Sequence, residues 1–202
     1  EARRKMYELI HRAYDQRLFT STQGTFSQRI GKDSFIITPY AVDRKYIEAE
    51  DIVKIQGAYK EAGKTPSRSV LLHRHIYDKH PHIHSIIIAH APNIMAFAVT
   101  NQNFDSRTIP ESYILLRDIP KLPFGSSFIE PEKLADVFTK DVPVVLLEND
   151  CVIATGDSLI NAFDRLEVAE YSAKAVIGCK HLGEIEIIDQ KRVDEIKSAF
   201  KL

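Results

Sequence analysis

The sequence predicts an α/β domain with three α/β/α layers, on three observations. Helical periodicities and short β-branched runs alternate along the whole chain. The strands are short and lack regular crossover helices. No flexible linker, repeat or low-complexity segment divides the chain. Mixed elements of this kind settle into layers around one core, and the irregular connections argue against a purely parallel, doubly wound sheet. The 202 residues suit one ordinary domain spanning 1–202, which on folding would remove roughly 70% of the unfolded chain's surface from water. A hydrophobic fraction of 44% supplies the core without disulfides or metals as staples.

The elements follow in order. Met6, Leu9, Ile10, Ala13, Tyr14 and Leu18 recur at helical spacing and predict a first helix. Phe26, Ile30 and Phe35–Ile37 predict two short strands around the turn 31–34, and 51–55 predicts another. Residues 69–79 read as a helix opened by Pro66-Ser67, whose hydroxyl can accept from an orphan helix N–H. Residues 85–89 form a buried strand and 92–98 a short helix. In the second half, 113–116 reads as extended and 131–139 as helical. Residues 142–147 and 152–155 read as a hairpin pair. The clearest helix spans 158–177, with Asp157 as its N-cap and Leu159, Ala162, Phe163, Leu166, Ala169, Ala173 and Val176 as its apolar stripe. Residues 184–188 read as a last strand before a terminal amphipathic helix.

Composition excludes several classes. The formal net charge is −1, with 27 basic and 28 acidic residues well mixed, unlike the basic face that counterion-releasing nucleic-acid binding needs. The longest apolar stretch, 85–99, is interrupted by His90, Pro92 and Asn93 and falls short of the ~20 residues of a membrane span. Cys151 and Cys179 sit in apolar company and read as core thiols in a reducing, cytoplasmic compartment. The chain begins Glu1-Ala-Arg-Arg without an initiator Met, which suggests a trimmed chain or a piece of a longer polypeptide.

Three segments carry a resemblance. The first is Gly24-Thr-Phe-Ser27-Gln-Arg29 with Thr38-Pro39-Tyr40-Ala41. The second is Pro66-Ser67-Arg68-Ser69 with His73, Tyr77, Pro81 and Ala89-His90-Ala-Pro92. The third is Asn149-Asp150-Cys151 with Ala162-Phe-Asp-Arg-Leu-Glu167. In order and spacing, from about residue 5 to 180, they resemble the class II sugar-phosphate aldolase and adducin-head family. That resemblance implies a central, mainly antiparallel sheet. It also implies a divalent metal, zinc in many members, held by three histidines and acting as a Lewis acid on the ketose oxygens. A glutamate would handle the proton, a neighbouring subunit would lend a tyrosine, and a phosphate would sit among serine, threonine and backbone N–H groups.

Mapped onto this chain, the resemblance gives Thr25, Thr38, Ser67 and Arg68 as phosphate-binding residues and Tyr113 as the lent tyrosine. His90 and Asp150 are the metal positions still able to ligate. Ile88 stands in the first ligand position and Ser69 in that of the glutamate. The expected substrate is a sugar phosphate or related small molecule, and the expected partner a second copy or a tandem domain. Three readings stay open: a domain whose own metal site is degenerate, an aldehyde-lyase with an altered ligand set, and a non-catalytic assembly module. His80, His82 and His84 alternate and could share a face, but read better as a solvated turn. His73 reads as a hydrogen-bonded core histidine.

Overall fold

A computed structural model describes residues 1–202. Eight strands form one sheet: β1 (Thr25–Gly31), β2 (Ser34–Ile37), β3 (Val53–Gln56), β4 (Tyr59–Lys60), β5 (Ser85–Ala89), β6 (Lys121–Leu122), β7 (Val144–Leu147) and β8 (Val152–Gly156). Their order across the sheet is β4-β3-β2-β1-β5-β8-β7-β6. Every neighbouring pair is antiparallel except β6 with β7. The helices are α1 (Ala2–Asp15), α2 (Val70–Lys79), α3 (Pro92–Ala98), α4 (Pro110–Leu116), α5 (Pro131–Val137), α6 (Leu159–Gly178) and α7 (Gln190–Phe200). No helix is long and apolar enough to cross a membrane.

Strand alternation builds the layers. β5 is buried on both faces: Ile87 and Ala89 point into a core shared with α1, α3 and α6, while Ile86 and Ile88 point into a second core shared with α2 and α5. The same split runs through β8, where Val152 and Ala154 join the first core and Ile153 the second. A central strand with helices over both faces has no polar side to show, which explains the unbroken run Ile86-Ile-Ile-Ala89.

Three elements differ from the sequence reading. Residues 113–116 are helical, not extended, because Pro110 occupies the first turn of α4 and presets a helical φ. The apolar run Tyr113-Ile-Leu-Leu116 then presents one stripe, with Tyr113 and Leu116 buried. Residues 184–188 form no strand: β4 and β6 end the sheet, and Ile185 and Ile187 lie instead beside Val176 at the end of α6. Finally, the cap of α6 is Ser158, whose hydroxyl accepts from Asn161 N–H, one residue after the expected Asp157.

Candidate active site

The sheet alternation places the site residues. Thr25 on β1 faces Ile88 on β5, and both side chains fall on the α2 face of the sheet. Over them stand the residues leading into α2. The loop is clamped to the end of β2 by two backbone hydrogen bonds, Tyr40 N–H to Thr65 O and Ser67 N–H to Thr38 O, both at 2.9 Å, which together form the Pro39–Pro66 bridge. The result is a triangle of hydroxyls. Thr25 Oγ1 lies 2.8 Å from Ser67 Oγ, Ser67 Oγ lies 3.1 Å from Ser69 Oγ, and Ser69 Oγ lies 3.3 Å from Thr25 Oγ1. Ser67 Oγ also accepts from Ser69 N–H at 3.4 Å, while Ser69, at the cap position of α2, makes no side-chain cap bond to the helix. Beside the cluster, the Arg68 guanidinium sits over the Tyr40 ring, 5.4 Å from its centroid, and no carboxylate lies within ion-pair reach of it. The arrangement offers rotatable O–H donors and a free fork of N–H donors, the chemistry that grips a phosphate or carboxylate.

Thr38 is separate from this cluster. Its buried hydroxyl accepts from Phe26 N–H at 3.1 Å and lies 3.4 Å from Phe26 O, so it fixes the β1–β2 pairing. Arg44 was missed by the sequence reading, because a lone arginine between Asp43 and Lys45 looks like surface. It is almost fully buried and donates to Gly24 O at 3.0 Å and Val42 O at 2.7 Å. Burial lowers its pKa to about 10, leaving it charged at neutral pH. Gly24 has φ +80°, and a side chain there would strike the Phe19 ring. Arg44 and Gly24 thus set the approach of the chain to Thr25.

The metal neighbourhood lies at the same end of the sheet. The β5–β8 register pairs Ala89 with Val152. One residue further, His90 comes opposite Cys151, with Asp150 diagonal to it. The two side chains sense each other: burial lowers the His90 pKa and the Asp150 charge opposes that shift. His90 Nδ1 is buried without a partner. The Asp150 carboxylate accepts from Ser127 Oγ at 2.5 Å. Burial and the Asp150 charge push the Cys151 thiol well up, so it stays protonated and a poor ligand. Ile88, 8% exposed, fills the remaining position with alkyl surface. No three His, Cys, Asp or Glu side chains converge anywhere in the chain. One imidazole and one carboxylate do not fit a catalytic zinc, which takes three protein ligands.

The other candidates resolve individually. His80 Nε2 bonds to Ala135 O at 2.6 Å and its ring meets His82 edge-on, so the alternating histidines do not converge on one point. His73 is fully buried, with Nδ1 2.6 Å from Ser27 Oγ, which also contacts Tyr77 Oη at 2.7 Å. Tyr113, 6% exposed, lines a cleft between α4 and α7 together with Arg117 and Lys197.

Fold and site together define an α/β/α domain with a cluster of hydroxyls at one end of a mainly antiparallel sheet. The family model for the class II aldolase and adducin N-terminal domain matches residues 4–177, and the chain belongs to that family. It is 26% identical over 175 residues to an L-fuculose phosphate aldolase of Methanococcus vannielii, covering 85% of this chain and 93% of that one. It is 25% identical over 184 residues to a 3-oxo-tetronate 4-phosphate decarboxylase of Haemophilus influenzae, covering 86% of each. Among solved structures, YgbL from Escherichia coli superposes with a TM-score of 0.85 at 21% identity over 97% of both chains, a likeness of fold.

Proposed function

We propose that this domain binds a phosphorylated sugar, or a similarly sized phosphate ester, through Thr25, Ser67, Ser69 and Arg68, and that its own metal centre is degenerate. The observation that carries the second half is Ile88: an alkyl side chain stands between Thr25 and His90 where the family places its first ligand. The phosphate half is supported by the hydroxyl triangle, by the unpaired Arg68, and by relatives whose names all carry a phosphate ester. Ser69 replaces the acid/base glutamate, and an alcohol has no useful pKa near neutrality for proton transfer. A divalent metal, were His90 and Asp150 to hold one, would supply Lewis-acid polarisation of a substrate oxygen. Two donors do not hold such a metal firmly, so the domain's own residues are left with binding and orientation.

The test is elemental analysis of protein purified without chelators and dialysed. The expected result is far less than one zinc, manganese or iron per chain. One metal per chain retained through dialysis would sink this reading and promote the alternative of an aldehyde-lyase with an altered ligand set.

Tyr113 completes this reading. Its hydroxyl makes no hydrogen bond within its own chain, which suits a residue acting on a neighbour's substrate in a homo-oligomer or beside a tandem domain. A phenol positioned at a substrate oxygen needs placement and no metal of its own. In an assembly with a subunit or domain that has the full ligand set, Tyr113→Phe should lower sugar-phosphate turnover by about 10²-fold, with the fold intact. Unchanged turnover would leave Tyr113 a packing residue and the domain an assembly module.

A further inference from the structure

The opposite end of the same two strands carries a second pocket that the reading above does not use. β5 and β8 are antiparallel, so the start of β5 at Ser85 meets the end of β8 at Gly156. His84 and His90 are six steps apart along the chain, which places this end roughly 20 Å from the candidate active site at ~3.3 Å per residue. The pocket there has a volume of about 260 Å³, and Ile83 and Pro143 are its apolar side chains.

Its charge is one-sided. Arg165, Lys140 and His82 line it against one carboxylate, Asp157, which already accepts from Ser158 Oγ at 3.0 Å. Arg165 is half-buried and rigidly placed: Nε donates to Leu115 O at 3.1 Å and Nη1 to Thr155 O at 2.6 Å. Neither Arg165 nor Lys140 has a carboxylate within ion-pair distance. A partly buried guanidinium normally finds an anion, because desolvating a charge costs free energy that neutral carbonyls only partly offset. Asn161 also lines the pocket; its Oδ1 is held by Asp157 N–H, which leaves its amide N–H groups free. His82 reports the local field. Burial first, then His80, Lys140, Arg165 and His84, hold its pKa below the usual value. The N-terminal end of α6 adds potential of the same sign, but the Arg165 and Lys140 cations, with the His82 ring beside them, define the site.

We propose that this pocket is a second anion site, shaped for a phosphate-sized dianion such as the phosphate group of a small ester, held by Arg165, Lys140 and His82. It takes the same ligand chemistry as the hydroxyl cluster but shares no residue with it, so it stands whether or not that cluster binds substrate.

The experiment is titration of the full chain with inorganic phosphate at constant ionic strength, followed by NMR of the His82 and His84 rings and the Asn161 amide. Those signals should shift saturably, with affinity roughly millimolar or tighter. His82 should titrate at higher pH in phosphate than in chloride, since an adjacent anion favours the imidazolium. Lys140→Glu, at an exposed position that folding does not depend on, should weaken binding by about 10-fold or more. Arg68→Ala should leave these signals saturating as before. Shifts that do not saturate, or that survive Lys140→Glu unchanged, would overturn the proposal. So would shifts abolished by Arg68→Ala, since phosphate would then occupy only the hydroxyl cluster.

Discussion

Stability should fall steeply as pH drops below 6.5, and His73 should account for about 1.4 kcal/mol of that fall per pH unit. His73 is fully buried on α2, and burial pushes its pKa down from 6.5 to about 3. The folded-state pKa lies below the unfolded one, so between those values the unfolded chain binds a proton that the folded chain refuses. Stability from this group is therefore complete above pH 6.5 and is lost progressively as pH falls towards 3. Over the window from pH 6.5 to 4 the loss amounts to roughly 3 kcal/mol, a large part of the net stability of an ordinary domain. Urea unfolding at several pH values, for the native chain and for His73→Gln, measures it. Glutamine can still bond to Ser27 but cannot be protonated, so the variant should show the shallower pH slope even if it is less stable at pH 7. Equal slopes would mean that His73 is not held neutral in the folded state.

The consequence for the site is direct. Ser27, which His73 and Tyr77 hold, lies two residues from Thr25 on β1, facing the same helix. Protonating His73 would place a desolvated charge beneath α2, beside an Nε2 that has no partner, and so loosen the helix and the loop that aims Ser67 and Ser69 at Thr25. Acid should then weaken phosphate-ester binding over the same range in which it weakens the fold.

How much of this was legible in the sequence depended on whether a signal was local. The run Ile86-Ile-Ile-Ala89 marks a strand buried on both faces, and the stripe from Leu159 to Ala173 marks a long helix, because period alone decides such segments. The strand-like composition of Tyr113-Ile-Leu-Leu116 misled, since a proline three residues earlier outweighs weak β-propensity in so short a segment. Ile185 and Ile187 alternate as strand residues do, yet a strand needs a free sheet edge beside it, and sheet order is not a local property. The same limit applies at the site. Thr25, Ser67 and Ser69 could be named from the resemblance, but their closing into a triangle depends on the register of β1 against β2 and on the Pro39–Pro66 bridge. Thr38 was grouped with them, and nothing in the sequence shows that its hydroxyl is occupied by Phe26. Arg44 gave no signal at all, because its partners are backbone carbonyls 20 and 2 residues away.

Rebuilding the ligand set is the sharpest test of the altered metal neighbourhood. Ile88→His together with Asp150→His, keeping His90, should turn a chain that loses zinc on dialysis into one that keeps one zinc per chain. The argument rests on strand geometry. Residues 88 and 90 alternate along one extended segment and so share the face towards α2, while residue 150 reaches the same point from the turn before β8. Ile88 is packed in the second core, so placing an imidazole there without metal should cost about 1–3 kcal/mol for an unsatisfied buried polar group. Zinc would reverse that cost, because the unfolded chain has no assembled site and binding free energy becomes folding free energy. The double variant should therefore melt below the native chain when stripped with chelator and above it when zinc is restored. Ile88→His alone, with Asp150 as the third donor, should bind more weakly but still retain some metal. Ser69→Glu added to the double variant would then return a proton-transfer group beside the metal, and any sugar-phosphate cleavage gained should disappear with chelator. If the three-histidine chain holds no zinc, residues 88, 90 and 150 do not converge as the family's ligands do. The hydroxyl triangle and Arg68 would then have to be explained without a metal position beside them.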